Sequence, residues 1–411
     1  MTEKIYYKFI QFALGTYEGK EFLDGSALNG FDWQRFYDFA KKQTLEGIIM
    51  EGISRLPKAV APKQGLLMNW FMMSQNISRQ NMMLNAATAE IYNKVKAAGY
   101  DCCILKGQAN AAMYANPATR TPGDVDVWVD ASREEIRQLA QTLAKENGRI
   151  DEESYNHIAL TTNGISVELH YTPGFMANFT YNRRLQQWFR ESIDAQCRNM
   201  IALPDEAGEV AAPTADFNAV YQLYHLYHHY FYEGVGLRQV VDYYYVILNF
   251  ELGVLNCRLR DEELKNCELE TQNSKLNNSK SAKPTIQNSK FKTQNSLKRL
   301  GLWHFAGAMM YVLHEVLGLP EEKMIAPMDK KRGEMLLNDI LCGGNFGHHD
   351  ERHAWGRDTY DGNGFKHGAL GHNLLRLHRD LRLLRYYPSE ALSEPIFRLW
   401  HYYWRWKIHQ L

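Results

Sequence analysis

The spacing of apolar side chains changes along this chain, and the changes mark its regions. Up to about residue 99, apolar residues recur at helical spacing. They do so in DWQRFYDFAKKQTLEGIIMEGISRL and again in LLMNWFMMSQNISRQNMMLNAATAEIYNKVKAAG. This predicts amphipathic helices whose Met and aromatic stripes face a core. At YDCCILKGQANAAMYANP the pattern shifts to a short apolar run, Cys102 to Leu105, expected as a strand that ends at Lys106-Gly107, with a helix starting at once in QANAAMYA. A second strand is expected in DVDVWV. Ser132 and Glu135 then have capping-box spacing ahead of an amphipathic helix. In YNHIALTTNGISVELHY, alternation on both sides of Asn163-Gly164 predicts a hairpin with a two-residue turn.

Helical spacing returns after residue 212, in TADFNAVYQLYHLYHHYFYEG and GLRQVVDYYYVILNFEL. Residues 257–297 break the pattern with repeats of QNSK and TQNS. With few apolar residues to offset the ordering entropy, they are expected to form a disordered insertion. LKRLGLWHFAGAMMYVLHEVLGL, NLLRLHRDLRLLRYY and PIFRLWHYYWRWKIHQL are helical again, with a Gly/His-rich loop after the first. The fold class expected is α+β: a small mixed-sheet core at about 100–171 between helical regions. The division expected is an N-terminal helical region 1–99, an α/β core 100–205 and a helical domain 206–411 that carries the insertion.

Composition narrows the function only a little. The chain has 411 residues with 47 basic and 47 acidic side chains, and this zero net charge argues against a protein wrapped around nucleic acid. Its six cysteines have no Cys-x-x-Cys spacing, which fits a reducing cytoplasm and offers no zinc signature. No long apolar span predicts a membrane crossing.

The carboxylates in RTPGDVDVWVD change the picture. Residues two apart on a strand point to one face, about 6.5 Å apart along the chain, so Asp124 and Asp126 face one way while Val125 and Val127 face the core. Two carboxylates so placed can share divalent ions about 3.5–4 Å apart, an arrangement suited to in-line phosphoryl transfer. The hairpin supplies a third. With Asn163 and Gly164 as the turn, Thr162 opposes Ile165, Ala159 opposes Glu168 and His157 opposes His170. Ile158, Leu160, Val167 and Leu169 then share the core face, and His157, Glu168 and His170 share the other. Glu168 is the candidate third metal ligand and general base for an attacking hydroxyl. The competing reading is the solvent face of an edge strand.

ILKG…RTPGDVDVWV…ISVELH resembles the polymerase-beta-type nucleotidyltransferase superfamily. Within it, the chain resembles a bacterial family of uncharacterised nucleotidyltransferases with Leu-Lys-Gly, Arg-x-x-Gly-Asp-hydrophobic-Asp and Glu-Leu-His motifs, over about residues 30–245. The resemblance implies a mixed sheet with helices on one side, and two Mg²⁺ ions (Mn²⁺ as the alternative) on Asp124, Asp126 and Glu168. It also implies an NTP, with ATP the first candidate, and transfer of its nucleoside monophosphate to a hydroxyl of an unidentified acceptor. The Gly107 turn would cradle the triphosphate. The usual Gly-Ser or Gly-Gly is here Gly107-Gln108, so Lys106, Arg120 and the neighbouring Gly123 join Gly107 and Gln108 as candidate nucleotide-binding residues. That departure motivates the alternative of a catalytically degenerate binding module for nucleotide or partner protein.

Weaker signals remain. His225 and His229 lie one helical turn apart beside His228, a spacing for zinc, for a nucleotide or acceptor pocket, or for packing. Arg238 and Asp242 are further pocket candidates within the resembling region. GHHDERH reads as a metal cluster or a solvated loop. The Arg-rich, aromatic C-terminal segments read as an RNA or membrane-surface face, or as packed helices with solvated arginines.

Overall fold

In the computed structural model, residues 2–145, 148–254, 279–347 and 369–407 are described. The N-terminal region is helical, as its periodicity predicts: α1 (Thr2–Leu14), α2 (Lys20–Leu23), α3 (Trp33–Gln43), α4 (Glu46–Ser54) and α5 (Gln64–Ala97). The expected single run at 32–56 is two helices. Thr44 adopts φ 57° at the C-terminus of α3, and the chain restarts with Glu46.

A five-stranded mixed sheet follows, in the order β1-β2-β5-β4-β3. Its strands are β1 (Cys102–Ile104), β2 (Val125–Val129), β3 (Gly148–Glu153), β4 (His157–Thr162) and β5 (Ile165–His170). The short α6 (Gln108–Ala111) leaves β1, and α7 (Arg133–Ala144) leaves β2 behind the expected capping box. The expected helix at 108–115 therefore closes after one turn, and Tyr114 beyond it is directed to Asp242, its hydroxyl donating at 2.6 Å. The hairpin has the expected register, with Thr162 opposite Ile165, Ala159 opposite Glu168 and His157 opposite His170. Asn163 (φ 50°) and Gly164 (φ 78°) both take the left-handed conformation that a two-residue turn of this hand requires. The edge strand β3 extends this hairpin and was not signalled by alternation.

The sheet's two faces differ as the alternation requires. Ile158, Leu160, Val167 and Leu169 are buried, and α5 and α7 pack on the sheet there. Trp128, on the same face as Asp126, stacks on Phe217 at 5.7 Å and meets Phe189 edge-on. These rings belong to α9 (Ala215–Tyr232) and α8 (Phe179–Arg198), which are joined through the small pair β6 (Met200–Ala202) and β7 (Glu209–Ala211). Next in the chain is α10 (Leu237–Leu248).

One expectation is corrected. Residues 279–299 of the low-complexity stretch form α11 (Ser279–Arg299), not a disordered loop; residues 257–278 lie outside the described residues. Ser289, Thr293 and Leu297 are buried at helical spacing, and Ser289 Oγ donates to Asp216 Oδ2 of α9 at 3.0 Å. The stripe is narrow, and its one hydroxyl pairing, Ser289 to Asp216, ties it to α9. Then come α12 (Trp303–Leu317), α13 (Lys330–Gly343), α14 (Ala369–Leu383) and α15 (Pro388–Lys407). The first helix packs on α12, with Gln11 Nε2 donating to Glu315 O at 3.2 Å and Thr16 Oγ1 to Leu317 O at 3.1 Å. Buried apolar side chains from Tyr6 to Tyr387 form one connected cluster. The GHHDERH segment lies outside the described residues. Among the described residues no helix is long and apolar enough to cross a membrane.

Candidate active site

β2 and β5 run parallel with Asp126 beside Glu168. Asp124 precedes the first residue of β2, so the three carboxylates gather at one end of adjacent strands. Their oxygens lie within 4.8 Å of one another. Asp124 and Glu168, with the fully buried Asp126 beside them, line one wall of a cavity of about 310 Å³ between this sheet face and α9 and α10, to which Lys106, His157, His170, His225 and Arg238 also contribute. Asp126 itself is not exposed to it.

Asp126 is fully buried, yet two cationic groups meet its Oδ1: Lys106 Nζ at 3.1 Å and His170 Nε2 at 3.0 Å. His170 Nε2 also reaches Glu168 Oε2 at 3.2 Å, and His157 Nε2 lies 3.5 Å from Glu168 Oε1. Burial opposes the charge of Glu168, His170 and Lys106, and in these three the cluster outweighs it. Glu168 is brought down to about 2 by the hydrogen bond from His170 and the charge of Lys106. His170 is raised to about 9 by Asp126 and Glu168. Lys106 is held well above its ordinary value by Asp126, Asp124 and Glu168. Burial and the neighbouring His170 push His157 down to about 4.

The donor set fits a divalent cation. Asp126 Oδ2 is buried with no protein donor, and oxygen-rich carboxylate sites suit Mg²⁺. Among the described residues two groups could hold a metal: Asp124, Asp126 and Glu168, and His157, Glu168 and His170. The first is the all-oxygen set.

The glycines are shaped for this site. Gly107 has φ 62° and ψ −116°, and a Cβ there would lie 3.1 Å from Asp124 O. Gly123 lets Arg238 approach, since a Cβ would lie 3.2 Å from its Nη2. Arg238 Nε donates to Thr121 O at 2.9 Å, which leaves the rest of its guanidinium along the cavity.

Two residues expected at the nucleotide have their side chains engaged by other partners, although Arg120 also lines the cavity. Arg120 is buried and forms a two-point pair with Asp242, Nε to Oδ1 at 2.8 Å and Nη2 to Oδ2 at 2.9 Å. Only its Nη1 is left without a partner. The side chain of Gln108 is buried and hydrogen-bonds Asn85 of α5. Because α6 is only four residues long, its dipole offers an anion little.

On α9, His225 Nε2 lies 3.4 Å from Lys106 Nζ and 2.9 Å from His229 Nε2, and His229 Nδ1 is 2.9 Å from Glu233 Oε2. A polar chain thus runs from Glu233 to Asp126. Burial, reinforced by Lys106, pushes His225 well below the usual histidine range. Sequence reasoning passed over Glu233, although it stands four residues after His229 on the same helix face. It also passed over Gln222, whose Nε2 donates to Leu105 O at 3.2 Å and ties α9 to the end of β1. Its signal was the three-residue spacing to His225.

A family described as uncharacterised nucleotidyltransferases matches residues 29–275, more than half of the chain, and the protein belongs to that family. No curated protein and no solved structure matches it.

Proposed function

We propose that this family member transfers a nucleoside monophosphate from an NTP, ATP first among them, to a hydroxyl of an acceptor, and releases pyrophosphate. The observation that carries the proposal is the meeting of Asp124, just ahead of β2, with Asp126 on β2 and Glu168 on the parallel β5, beside Lys106 and next to a cavity. Asp124, Asp126 and Glu168 would hold two Mg²⁺ ions. When bound, these supply Lewis-acid stabilisation of the phosphoryl oxygens and orient the two reacting oxygens. The chain's own residues do the rest. Lys106 and Arg238 place positive charge against the triphosphate, which balances charge as the pyrophosphate leaves. The acceptor hydroxyl oxygen bonds the α-phosphorus, the bond to pyrophosphate breaks, and the hydroxyl proton passes to Glu168. Gly107 and Gly123 keep side chains out of the phosphate path.

The test is formation of pyrophosphate and of a labelled product with Mg²⁺. Asp126→Asn and Glu168→Gln should each lower it by about two to four orders of magnitude. Activity within about threefold of wild type in either variant would sink the proposal.

A second reading has one observation in its favour. Lys106 and His170 already neutralise Asp126, so the fold does not need a metal to compensate that buried charge. On this reading the chain is a degenerate binding module for nucleotide or partner protein. Nucleotide binding that needs no Mg²⁺ and survives Asp124→Asn would favour it.

A further inference from the structure

Next to the catalytic cavity is a second one of about 350 Å³, whose walls include Phe175, Tyr232 and side chains of α14 and α15. The partition between the two is thin. Pro173 and Gly174 line the first cavity and Phe175 the second; His228 lines the first, and Tyr232, stacked on it at 4.4 Å, the second. Phe175 meets His228 edge-on at 4.8 Å, and its carbonyl accepts the Tyr224 hydroxyl at 2.8 Å.

Charge on the walls of the second cavity is unbalanced. Glu394 is taken by Arg398, which donates from Nε at 3.1 Å and from Nη2. Arg376 pairs with the same Glu394 by charge alone, at 3.7 Å and without a hydrogen bond. Arg405 reaches Glu152 at the surface through Nη2 at 3.2 Å, but its Nε is buried without an acceptor, as is Nε2 of His401. Arg379, three residues after Arg376 and outside the lining of the cavity, also has Nε and Nη2 buried without acceptors. The remaining acids offset little of this. Burial and Glu394 push Asp380 up to about 7, and burial pushes Glu390 up to about 7. The crowding of positive charge shows on the neighbouring groups: burial with Arg405 and Arg376 holds His401 down to about 4, so that it is neutral, and burial with Arg376 holds Arg379 down to about 10. Buried donors normally find acceptors, and the orphaned nitrogens of Arg405 and His401 on the walls of this cavity point to an acceptor that arrives with a ligand.

We infer that this cavity binds the phosphate group of an organic phosphate. Resting on the transferase reading above, we assign that compound as the acceptor, its hydroxyl reaching the catalytic cavity past Phe175. Cationic side chains converging from two helices suit a dianionic oxyanion with three terminal oxygens better than a carboxylate. The volume exceeds one phosphate and leaves room for an organic body against Phe175, Tyr232 and Phe397. The anchoring phosphate is unchanged in the reaction; only the acceptor's hydroxyl oxygen gains a bond to phosphorus.

The test is calorimetric titration of the full chain with inorganic phosphate, alone and with a non-hydrolysable ATP analogue and Mg²⁺. Arg376→Ala combined with Arg405→Ala should weaken phosphate binding about tenfold or more and leave binding of the Mg²⁺ analogue intact, while Arg238→Ala should change phosphate binding less than about twofold. Arg405→Gln, near the end of α15, replaces the double variant if that fails to fold. Unchanged phosphate affinity in these variants, loss confined to Arg238→Ala, or no binding at millimolar phosphate overturns the inference. The acceptor assignment is tested by labelling a cell extract with ATP radiolabelled at the α-phosphate. Labelling should vanish when the extract is first treated with alkaline phosphatase, and labelling that survives overturns the assignment. Running aqueous and organic-soluble fractions separately distinguishes a free organic phosphate from a lipid headgroup. Phosphate binding without any labelling would sink the transferase reading, and the acceptor role with it, while leaving the anion cavity standing.

Discussion

Removing the carboxylate of Asp242 tests whether Arg120 is a strut or a phosphate ligand. Arg120 is 3% exposed and gives two hydrogen bonds to Asp242, which also accepts the Tyr114 hydroxyl at 2.6 Å. The pair fastens the segment leading to Asp124 against α10. Asp242→Ala would leave a guanidinium buried beside Arg238 with no counter-ion, a loss of about 3–5 kcal/mol, and orphan the Tyr114 hydroxyl at a further cost of about 1 kcal/mol. Arg120→Met with Asp242→Leu removes both charges and should return to within about 2 kcal/mol of wild type. Urea unfolding followed by circular dichroism measures all three. Burial opposes the charge of Asp242, but Arg120 outweighs it and holds the carboxyl below its ordinary 3.8. The pair's stabilisation is therefore present above that ordinary value and is lost as pH falls through the lower folded value. A loss under about 1 kcal/mol in Asp242→Ala, or a double variant as unstable as Asp242→Ala, refutes the reasoning. A strut also predicts that Arg120→Met/Asp242→Leu keeps its affinity for the Mg²⁺–ATP analogue within about threefold; a phosphate contact predicts a much larger fall.

Gly107→Ala should cost about 1–3 kcal/mol in urea unfolding and weaken Mg²⁺-dependent nucleotide binding, because φ 62° with ψ −116° is strained for alanine and the new Cβ presses on Asp124 O at 3.1 Å. Gly164→Ala is the control: its φ is 78° but nothing lies within 4 Å of the added Cβ, so about 1 kcal/mol of stability should go with nucleotide binding unchanged. Glu46, in the first turn of α4, is pushed by burial up to about 7 from 4.5. Its folded state favours the neutral acid, so stability is full below 4.5 and falls by about 3 kcal/mol as pH rises to 7 and beyond. Glu46→Gln should remove that share of the slope, read from urea midpoints at acidic and alkaline pH.

Legibility followed the range of the interaction. The hairpin could be read to the residue because Asn163-Gly164 pins a two-residue turn and strict alternation carries the register outward to His157 and His170. The break at Thr44 left no comparable mark, since a non-glycine in the left-handed region is chosen by tertiary contact. For α11, a count of apolar residues is the wrong measure: its buried stripe is Ser289, Thr293 and Leu297, and the hydroxyl of Ser289 is satisfied by Asp216 far away in the chain. Gln108 and Arg120 were assigned to phosphate by proximity to the motif, whereas their side chains are directed by Asn85 on α5 and Asp242 on α10.

The site itself shows why its residues are visible in the sequence while the pairing of Lys106 and His170 with Asp126 is not. Asp126 stands beside Glu168 because β2 and β5 are parallel neighbours, a long-range fact that no local pattern encodes. A carboxylate with no exposed surface would be costly in that strand unless compensated. The compensation comes from Lys106, beyond the end of β1, and from His170, two residues after Glu168 on β5. Both bind Oδ1 and leave Oδ2 unpartnered. An arrangement made only for stability would satisfy both oxygens, since an orphaned carboxylate oxygen wastes part of the pair's electrostatic gain. A site that must also receive a cation needs one oxygen held free, with the charge balanced meanwhile by groups able to swing toward phosphate. Lys106 lines the cavity and has the reach to do so. Lys106→Met should therefore weaken binding of the Mg²⁺–ATP analogue about tenfold or more while lowering stability by about 3 kcal/mol, whereas a purely structural lysine would lower stability alone.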